Sequence, residues 1–240
     1  MMNRLFLGSF REREPCAKTK KEDRSMGTLS NGDRELVNAM RHGQDRVLQD
    51  MDWTKFDFTR LVMMTCSDGY ELPGIMEHQR RMAEKQKPGI STNEFCCHTV
   101  AVSGGPLRLV AESPVISKQQ EDIFLHREIV DGIILKKLDA NGERPRVLLR
   151  THSSCGAAAP HGMDVVEQME WVATAKDRLK KAHPNWRILL CLDVNYGDRQ
   201  RSYTFSCDYL RKWLEDGYYS SLVHVTRRNY DLPAARAARA

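Results

Sequence analysis

The segment LVMMTCSD, residues 61–68, joins a short apolar run directly to a cysteine and an aspartate. A run in which nearly every residue is apolar is typical of a strand buried on both faces of a parallel sheet. The same pattern occurs in residues 95–102 (FCCHTVAV), 147–149 (VLL) and 188–192 (ILLCL). The sequence therefore predicts four buried strands, the first of which ends near Thr65.

Helical spacing of apolar residues separates these strands. It is clearest in residues 125–138 and 165–179 and weaker in residues 33–50. The second helix has Asp164 at its start and Pro184 just beyond its end, which are ordinary start and stop signals. Strands that alternate with helices predict an α/β fold with a mostly parallel central sheet flanked by helices, Rossmann-like in the broad sense.

Composition sets the expected domain organisation. The 240 residues are 41% hydrophobic and 29% charged, as expected of a globular protein. We predict a flexible basic N-terminal segment over residues 1–32, a single α/β domain over residues 33–230, and a tail over residues 231–240.

Charge and hydropathy disfavour several classes of partner. The 37 basic and 32 acidic residues are interspersed, so the net charge of +5 does not indicate a nucleic-acid surface. No run approaches the roughly 20 apolar residues of a membrane helix, and the N-terminal apolar stretch is too short for a secretory signal. We expect a cytoplasmic protein that does not associate with membranes.

Metal-type residues follow two of the predicted strands, where ligand sites form in open parallel sheets. Cys66 and Asp68 follow the first strand, and His152 and Cys155 follow the third, in a turn that Gly156 allows to be tight. Two thiolates, one imidazole and one carboxylate suit zinc. The sequence predicts a zinc site formed by Cys66, His152 and Cys155, with either Asp68 or water in the fourth position.

The remaining cysteines show no such arrangement. Three of them lie inside predicted strands, and we interpret them as core residues: Cys96, Cys97 and Cys191. The other two, Cys16 and Cys207, have no neighbours that suggest metal ligation. His161, soon after Cys155, is a candidate proton carrier at the edge of the pocket.

The two clusters resemble the signature of the beta-class carbonic anhydrases, which combine C-x-D-x-R after one strand with H-x-x-C-G after a later one. The matching residues are Cys66, Asp68, His152, Cys155 and Gly156, within a similarity that covers about residues 55 to 205. The resemblance implies zinc held by the two cysteines and the histidine, a homodimer or higher homo-oligomer, and a lyase that reversibly hydrates carbon dioxide to bicarbonate. Asp68 would be the catalytic carboxylate that orients the attacking water.

The chain departs from this pattern at two places. Tyr70 stands where the family has an arginine that holds the aspartate away from zinc by a forked ion pair, which a phenol cannot form. Gly104 lies in a Ser-Gly-Gly segment where an R-N-A-G type of sequence is expected. Two hypotheses stay open: an active enzyme in which Arg80, Arg81 or an arginine of a partner subunit restrains Asp68, and a catalytically silent zinc scaffold or regulatory homologue in which Asp68 closes the site.

A cysteine phosphatase or sulfurtransferase is a further class, because these enzymes also present a thiolate after a parallel strand. Phosphatases need an arginine six residues after the cysteine, but Leu72 and His161 occupy that position after Cys66 and Cys155. The pattern disfavours this class. Other small linear substrates, such as carbonyl sulfide or carbon disulfide, are compatible with the same zinc site.

Overall fold

The computed structural model describes residues 29–43, 45–52, 61–68, 72–89, 98–116 and 146–222. The helices are α1 (Asn31–His42), α2 (Leu72–Gln86), α3 (Val165–Ala182) and α4 (Cys207–Glu215). The strands are β1 (Leu48–Asp50), β2 (Leu61–Cys66), β3 (His98–Val102), β4 (Arg146–His152), β5 (Arg187–Asn195) and β6 (Gln200–Phe205). Short 3-10 turns occupy Gly105–Leu109 and Ala159–His161.

The six strands form one mixed sheet in the order β1-β6-β5-β4-β2-β3. The four strands that the sequence predicts are parallel neighbours, whereas β6 pairs antiparallel with β5 and with β1. All six residues of β2 are buried, as its apolar run indicates. The prediction of an α/β fold is confirmed, with an antiparallel pair added at one edge of the sheet.

Helices cover both faces of this sheet. Alternate strand residues such as Val62 and Leu149 pack with residues of α1 and α3 in the main core. Their neighbours Leu61 and Leu148 point to the other face, where they pack with Ala83 of α2. Among the described residues, the apolar cluster under α1 and α3 is the larger one, and the cluster under α2 is the smaller one.

The predicted helix over residues 33–50 is wrong in its second half. Helix α1 ends at His42, and Gly43 follows in an extended conformation. Leu48 then begins β1 and pairs with Phe205. The apolar residues after Gly43 fit a helical period, but pairing with β6 satisfies the backbone there instead.

Helix α3 confirms the predicted start and stop signals. The Asp164 side chain accepts hydrogen bonds from the backbone of Val166 and Glu167, which closes a capping box. The helix ends before Pro184. Helices α2 and α4 are not predicted by the sequence patterns above, and the predicted helix over residues 125–138 lies outside the described residues.

The predicted domain limits are only partly covered by the structure. The chain is described from residue 29, where Leu29 is already buried, and α1 begins at Asn31 rather than at residue 33. Residues 1–28 and 223–240 lie outside the described part. Among the described helices, none has the length and apolar character needed to cross a membrane.

Candidate metal centre

The site lies where two neighbouring parallel strands end. Cys66 is the last residue of β2 and His152 is the last residue of β4, and these strands pair in parallel with Leu61 opposite Arg146. Parallel pairing brings both carboxyl ends to the same edge of the sheet. The strands therefore deliver a thiol and an imidazole to one place, as the sequence predicts.

A tight turn after β4 brings the second cysteine back to this edge. The backbone N–H of Ser153 donates to the carbonyl of Asp193 at 2.8 Å, so the turn begins against β5. Ser154 adopts the left-handed conformation, with φ of 61°, and the Cys155 carbonyl then accepts from the backbone of Ala158 at 3.0 Å. Because Ser154 reverses the chain direction, Cys155 returns to a point beside Cys66.

Three potential metal ligands meet at this edge. The ligand atoms of Cys66, His152 and Cys155 all lie within 4.8 Å of one another, and the two sulfur atoms are 3.9 Å apart. All three residues are buried, with exposed fractions of 6%, 3% and 2%. Two thiols and an imidazole that are buried and this close together can bind one metal ion.

A glycine pair lets the loop after β3 approach the end of β2. The Gly104 backbone N–H donates to the Cys66 sulfur at 3.3 Å, with Gly104 in the left-handed region at φ of 82°. A Cβ on Gly105 would lie 2.7 Å from the Cys66 backbone nitrogen and 2.8 Å from the Thr65 carbonyl carbon. Gly104, a predicted pocket residue, thus contacts a candidate ligand directly.

The surroundings shift the pKa values of the two thiols in opposite directions. The pKa of Cys66 is lowered, first by the hydrogen bond with Cys155 and then by His152 and the Gly104 N–H, against the effect of burial. The pKa of Cys155 is raised by its contact with Cys66 and by burial. Two thiolates this close repel each other, so a bound cation is needed to ionise both.

A backbone contact orients the imidazole of His152. His152 Nδ1 lies 3.0 Å from the Ser153 carbonyl oxygen. Because a carbonyl can only accept, Nδ1 carries the proton in this contact, and the lone pair of the neutral ring is then on Nε2. Metal-binding histidines commonly have this arrangement, in which the other ring nitrogen donates to a carbonyl.

Two other predicted site residues, Asp68 and His161, are not part of this group. Asp68, two residues beyond Cys66, is partly exposed, and its carboxylate is not one of the atoms that meet within 4.8 Å. Gly156 is exposed, and Tyr70 lies outside the described residues. His161 is also exposed and lines a separate groove of about 440 Å³, whose lining includes none of the three donors.

The two arginines of this chain that were proposed to restrain Asp68, Arg80 and Arg81, form ion pairs with glutamates of their own helix. Arg80 forms ion pairs with Glu77 at 2.9 Å and with Glu84, and Arg81 pairs with Glu77 at 2.9 Å. All of these residues lie on α2. Their charges are therefore engaged along the helix itself.

Two of the remaining cysteines are core residues. Cys191 and Cys207 are free thiols with exposed fractions of 0% and 5%, and both lie in apolar clusters. This confirms packing as the role of Cys191. The other three, Cys16, Cys96 and Cys97, lie outside the described residues.

The sequence patterns missed a buried ion pair between β4 and β5. Arg150 donates to Asp193 through Nε at 2.8 Å and through Nη2 at 2.6 Å, with exposed side-chain fractions of 2% and 8%. The predicted strands end at Leu149 and Leu192, so both charges were placed outside the sheet. The sequence carries only part of the signal: each charge follows an apolar run and the two have opposite signs, but the register that pairs them is not in the pattern.

Together the fold and the site define an α/β protein with a buried group of two cysteines and one histidine able to hold a metal ion. Comparison of the chain with protein-family models, with curated proteins and with solved structures gave no match.

Proposed function

We propose that this chain binds one zinc ion through Cys66, His152 and Cys155 and catalyses the reversible hydration of carbon dioxide. The observation that carries the proposal is the convergence of three buried donors, from two distant segments, within 4.8 Å. Its further support is the resemblance of the two clusters to the beta-class carbonic anhydrases.

Donor chemistry and spacing favour zinc as the metal. Two sulfurs bound to a tetrahedral zinc at about 2.3 Å would be about 3.8 Å apart, and the Cys66 and Cys155 sulfurs are 3.9 Å apart. A soft thiolate pair with one imidazole is typical of zinc, whereas magnesium and calcium prefer oxygen ligands. The residues present therefore fit this ion without a large movement.

The number of donors favours a site that can react. Structural zinc sites usually have four protein ligands, and catalytic sites have three with one position open. Asp68 is outside the three-donor group, so this geometry favours the open alternative over the closed scaffold. When bound, zinc would act as a Lewis acid that makes hydroxide available near neutral pH.

The chain's own residues would orient the reaction and move its protons. Gly104 donates to Cys66 and thereby spreads the negative charge of that sulfur. The Ser153 carbonyl holds the His152 ring in the tautomer that a metal requires. Asp68, partly exposed and two residues beyond Cys66, would accept a hydrogen bond from the attacking water and help to pass the proton of that water to solvent.

A direct test combines zinc content with carbon dioxide hydration. Purified protein should contain one zinc per chain and hydrate carbon dioxide faster than buffer in stopped-flow measurements at mildly alkaline pH. Cys66→Ser should lose both properties, because it removes a ligand. The matched control is Cys207→Ser, which changes a buried free thiol outside the site and should retain both. A wild-type protein that holds its zinc but hydrates no faster than buffer would refute the catalytic proposal and leave the scaffold alternative.

Substitution of Tyr70 separates the two alternatives further. If Asp68 closes the metal site, Tyr70→Arg should raise the hydration rate, because a guanidinium can hold the carboxylate away in a forked ion pair. Tyr70→Phe serves as the control, since it changes the phenol without adding charge. An unchanged rate in an active wild-type enzyme would show that Asp68 does not block the metal.

A further inference from the structure

The two cysteines of the metal centre lie close enough to react with each other. The sulfur atoms of Cys66 and Cys155 are 3.9 Å apart, near van der Waals contact. A disulfide bond is about 2.05 Å long, so the two atoms would have to approach each other by roughly 1.9 Å. A movement of this size is within the reach of side-chain rotation at the two residues.

The turn that carries Cys155 leaves room for this movement. Cys66 ends β2, which is paired with β3 on one side and with β4 on the other. Cys155 instead lies in a turn between Ser154, with φ of 61°, and Gly156, around whose Cβ position no described atom lies within 4 Å. We therefore expect Cys155 to move toward the end of β2 while the strand keeps its place in the sheet.

The other described thiols show that burial alone does not create such a pair. The sulfur of Cys191 lies 3.7 Å from the thioether sulfur of Met51, which cannot form a disulfide. Cys207 has no contact with another thiol among the described residues, although its exposed fraction of 5% nearly equals the 6% of Cys66. Cys207 is therefore a matched reference for Cys66 within the same molecule.

We propose that hydroperoxides oxidise Cys66 and Cys155 to an intramolecular disulfide, which makes the metal centre a redox-sensitive site. Thiolates are metal ligands, and a disulfide no longer supplies them. The effect on zinc rests on the proposed zinc-binding function, whereas formation of the disulfide needs only the two neighbouring sulfurs. Thiol reductants restore the pair, because a disulfide exchanges with thiols and a sulfinic acid does not.

The reaction with hydrogen peroxide takes two balanced steps. The sulfur of Cys66, the more exposed of the two, attacks one peroxide oxygen. The O–O bond breaks, a sulfenic acid forms, and the thiol proton leaves with the other oxygen as water. The sulfur of Cys155 then attacks the Cys66 sulfur, the S–O bond breaks, and the released hydroxide takes the Cys155 proton to form a second water. Together the two thiols lose two electrons and two protons, and one peroxide is reduced to two waters.

Peptide mapping of the folded protein after treatment with hydrogen peroxide tests the proposal, with the remaining free thiols alkylated before digestion. Trypsin cleaves after lysine and arginine, so Cys66 is the one cysteine of peptide 61–80 and Cys155 is the one cysteine of peptide 151–176. We expect these two peptides, joined by a disulfide, as the main oxidised product, while Cys207 in peptide 202–211 stays a thiol. Dithiothreitol should separate the joined peptides again. Oxidation of Cys66 to a sulfinic acid without the link, or oxidation of Cys207 at the same rate, would overturn the proposal.

Zinc content, measured on the same samples, separates this inference from the proposed function. The experiment uses protein as purified and protein from which a chelator has removed the metal. Zinc should leave in proportion to the linked peptides, and Cys207→Ser should show the same loss, because it retains both reacting thiols. Linked peptides in a protein that holds no zinc would support the disulfide and refute zinc binding. A zinc-binding protein whose metal-free form gives no link would overturn the disulfide and leave zinc binding intact.

Discussion

Two features of the structure require a glycine at position 104: its left-handed backbone conformation and its close approach to Val115. Its φ of 82° is unfavourable for residues with a Cβ, and a Cβ there would lie 2.6 Å from Val115 Cγ1. Val115 is buried and β-branched, so its methyl group cannot move aside easily. The Gly104 N–H can reach Cys66 only if this close approach is kept.

We predict that Gly104→Ala destabilises the protein more than a matched glycine substitution does. Gly89 has φ of 80° but open space around its Cβ position. Gly89→Ala should cost about 1–2 kcal/mol from backbone strain alone, and Gly104→Ala should cost a further 1–3 kcal/mol, roughly, from overpacking. Urea unfolding of the two variants measures the difference. Equal losses would contradict the close contact with Val115.

The metal donors could be predicted from the sequence, but the buried ion pair could not. Cys66, His152 and Cys155 are of metal-binding types and follow buried strands, so only the parallel order of the strands was needed to bring them together. The pairing of Arg150 with Asp193 depends on register, since Arg150 lies directly opposite Cys191 and reaches Asp193 diagonally. Apolar patterns do not contain that register.

At the scale of elements, Asp33 joins the starts of α1 and α3. It lies in the first turn of α1, and its Oδ1 accepts from the Val165 backbone N–H of α3 at 2.9 Å. The pKa of Asp33 is raised from 3.8, first by burial and also by the nearby charge of Asp164, against the hydrogen bonds from Val165 and Ser30. The folded protein therefore holds the Asp33 proton more tightly than the unfolded chain does.

This raised pKa predicts how stability depends on pH. The contribution of protonated Asp33 is fully present below the unfolded value of 3.8 and is lost as pH rises through the higher folded value. Asp33→Asn keeps an acceptor for Val165 but cannot titrate, so this decline should disappear in the variant. The loss amounts to about 1.4 kcal/mol for each unit of raised pKa. Urea unfolding of both proteins over a series of pH values measures it.

Ser30→Ala provides the control for that experiment. It removes a hydrogen bond that lowers the pKa of Asp33, so the decline should persist and extend to higher pH. A wild type and an Asp33→Asn variant with parallel pH profiles would show that burial of this carboxyl does not influence folding.

The elements differ in how far the sequence determines them. Helix α3 is specified locally, because its capping box and apolar stripe lie within its own residues. Strand β1 is specified by its partner, since its residues pair with residues of β6 that lie more than 150 positions later. Gln49, for example, contacts Thr204 across 155 positions. Local periodicity therefore predicts α3 correctly and assigns β1 to a helix.

At the scale of the whole molecule, a metal ion would connect parts of the chain that are far apart in sequence. Cys66 and Cys155 are separated by 89 positions, and β4 joins them through its pairing with β2. A ligand that binds only the folded state stabilises it by mass action, about 2.7 kcal/mol at a hundred times its Kd. Bound zinc should therefore raise the stability of the whole sheet rather than of one loop.

We predict that removal of zinc with a chelator lowers the thermal midpoint of the wild-type protein by about 5–11 °C, from about 2–4 °C per kcal/mol for a chain of this size. Cys66→Ser should melt at a midpoint that the chelator does not change, because its site is already incomplete. Cys207→Ser should respond like the wild type, since that thiol lies in the core away from the donors. Differential scanning calorimetry with and without chelator measures the midpoints of all three proteins. If the wild-type protein is shown to contain zinc but its midpoint does not change with chelator, the ion does not bridge β2 and β4.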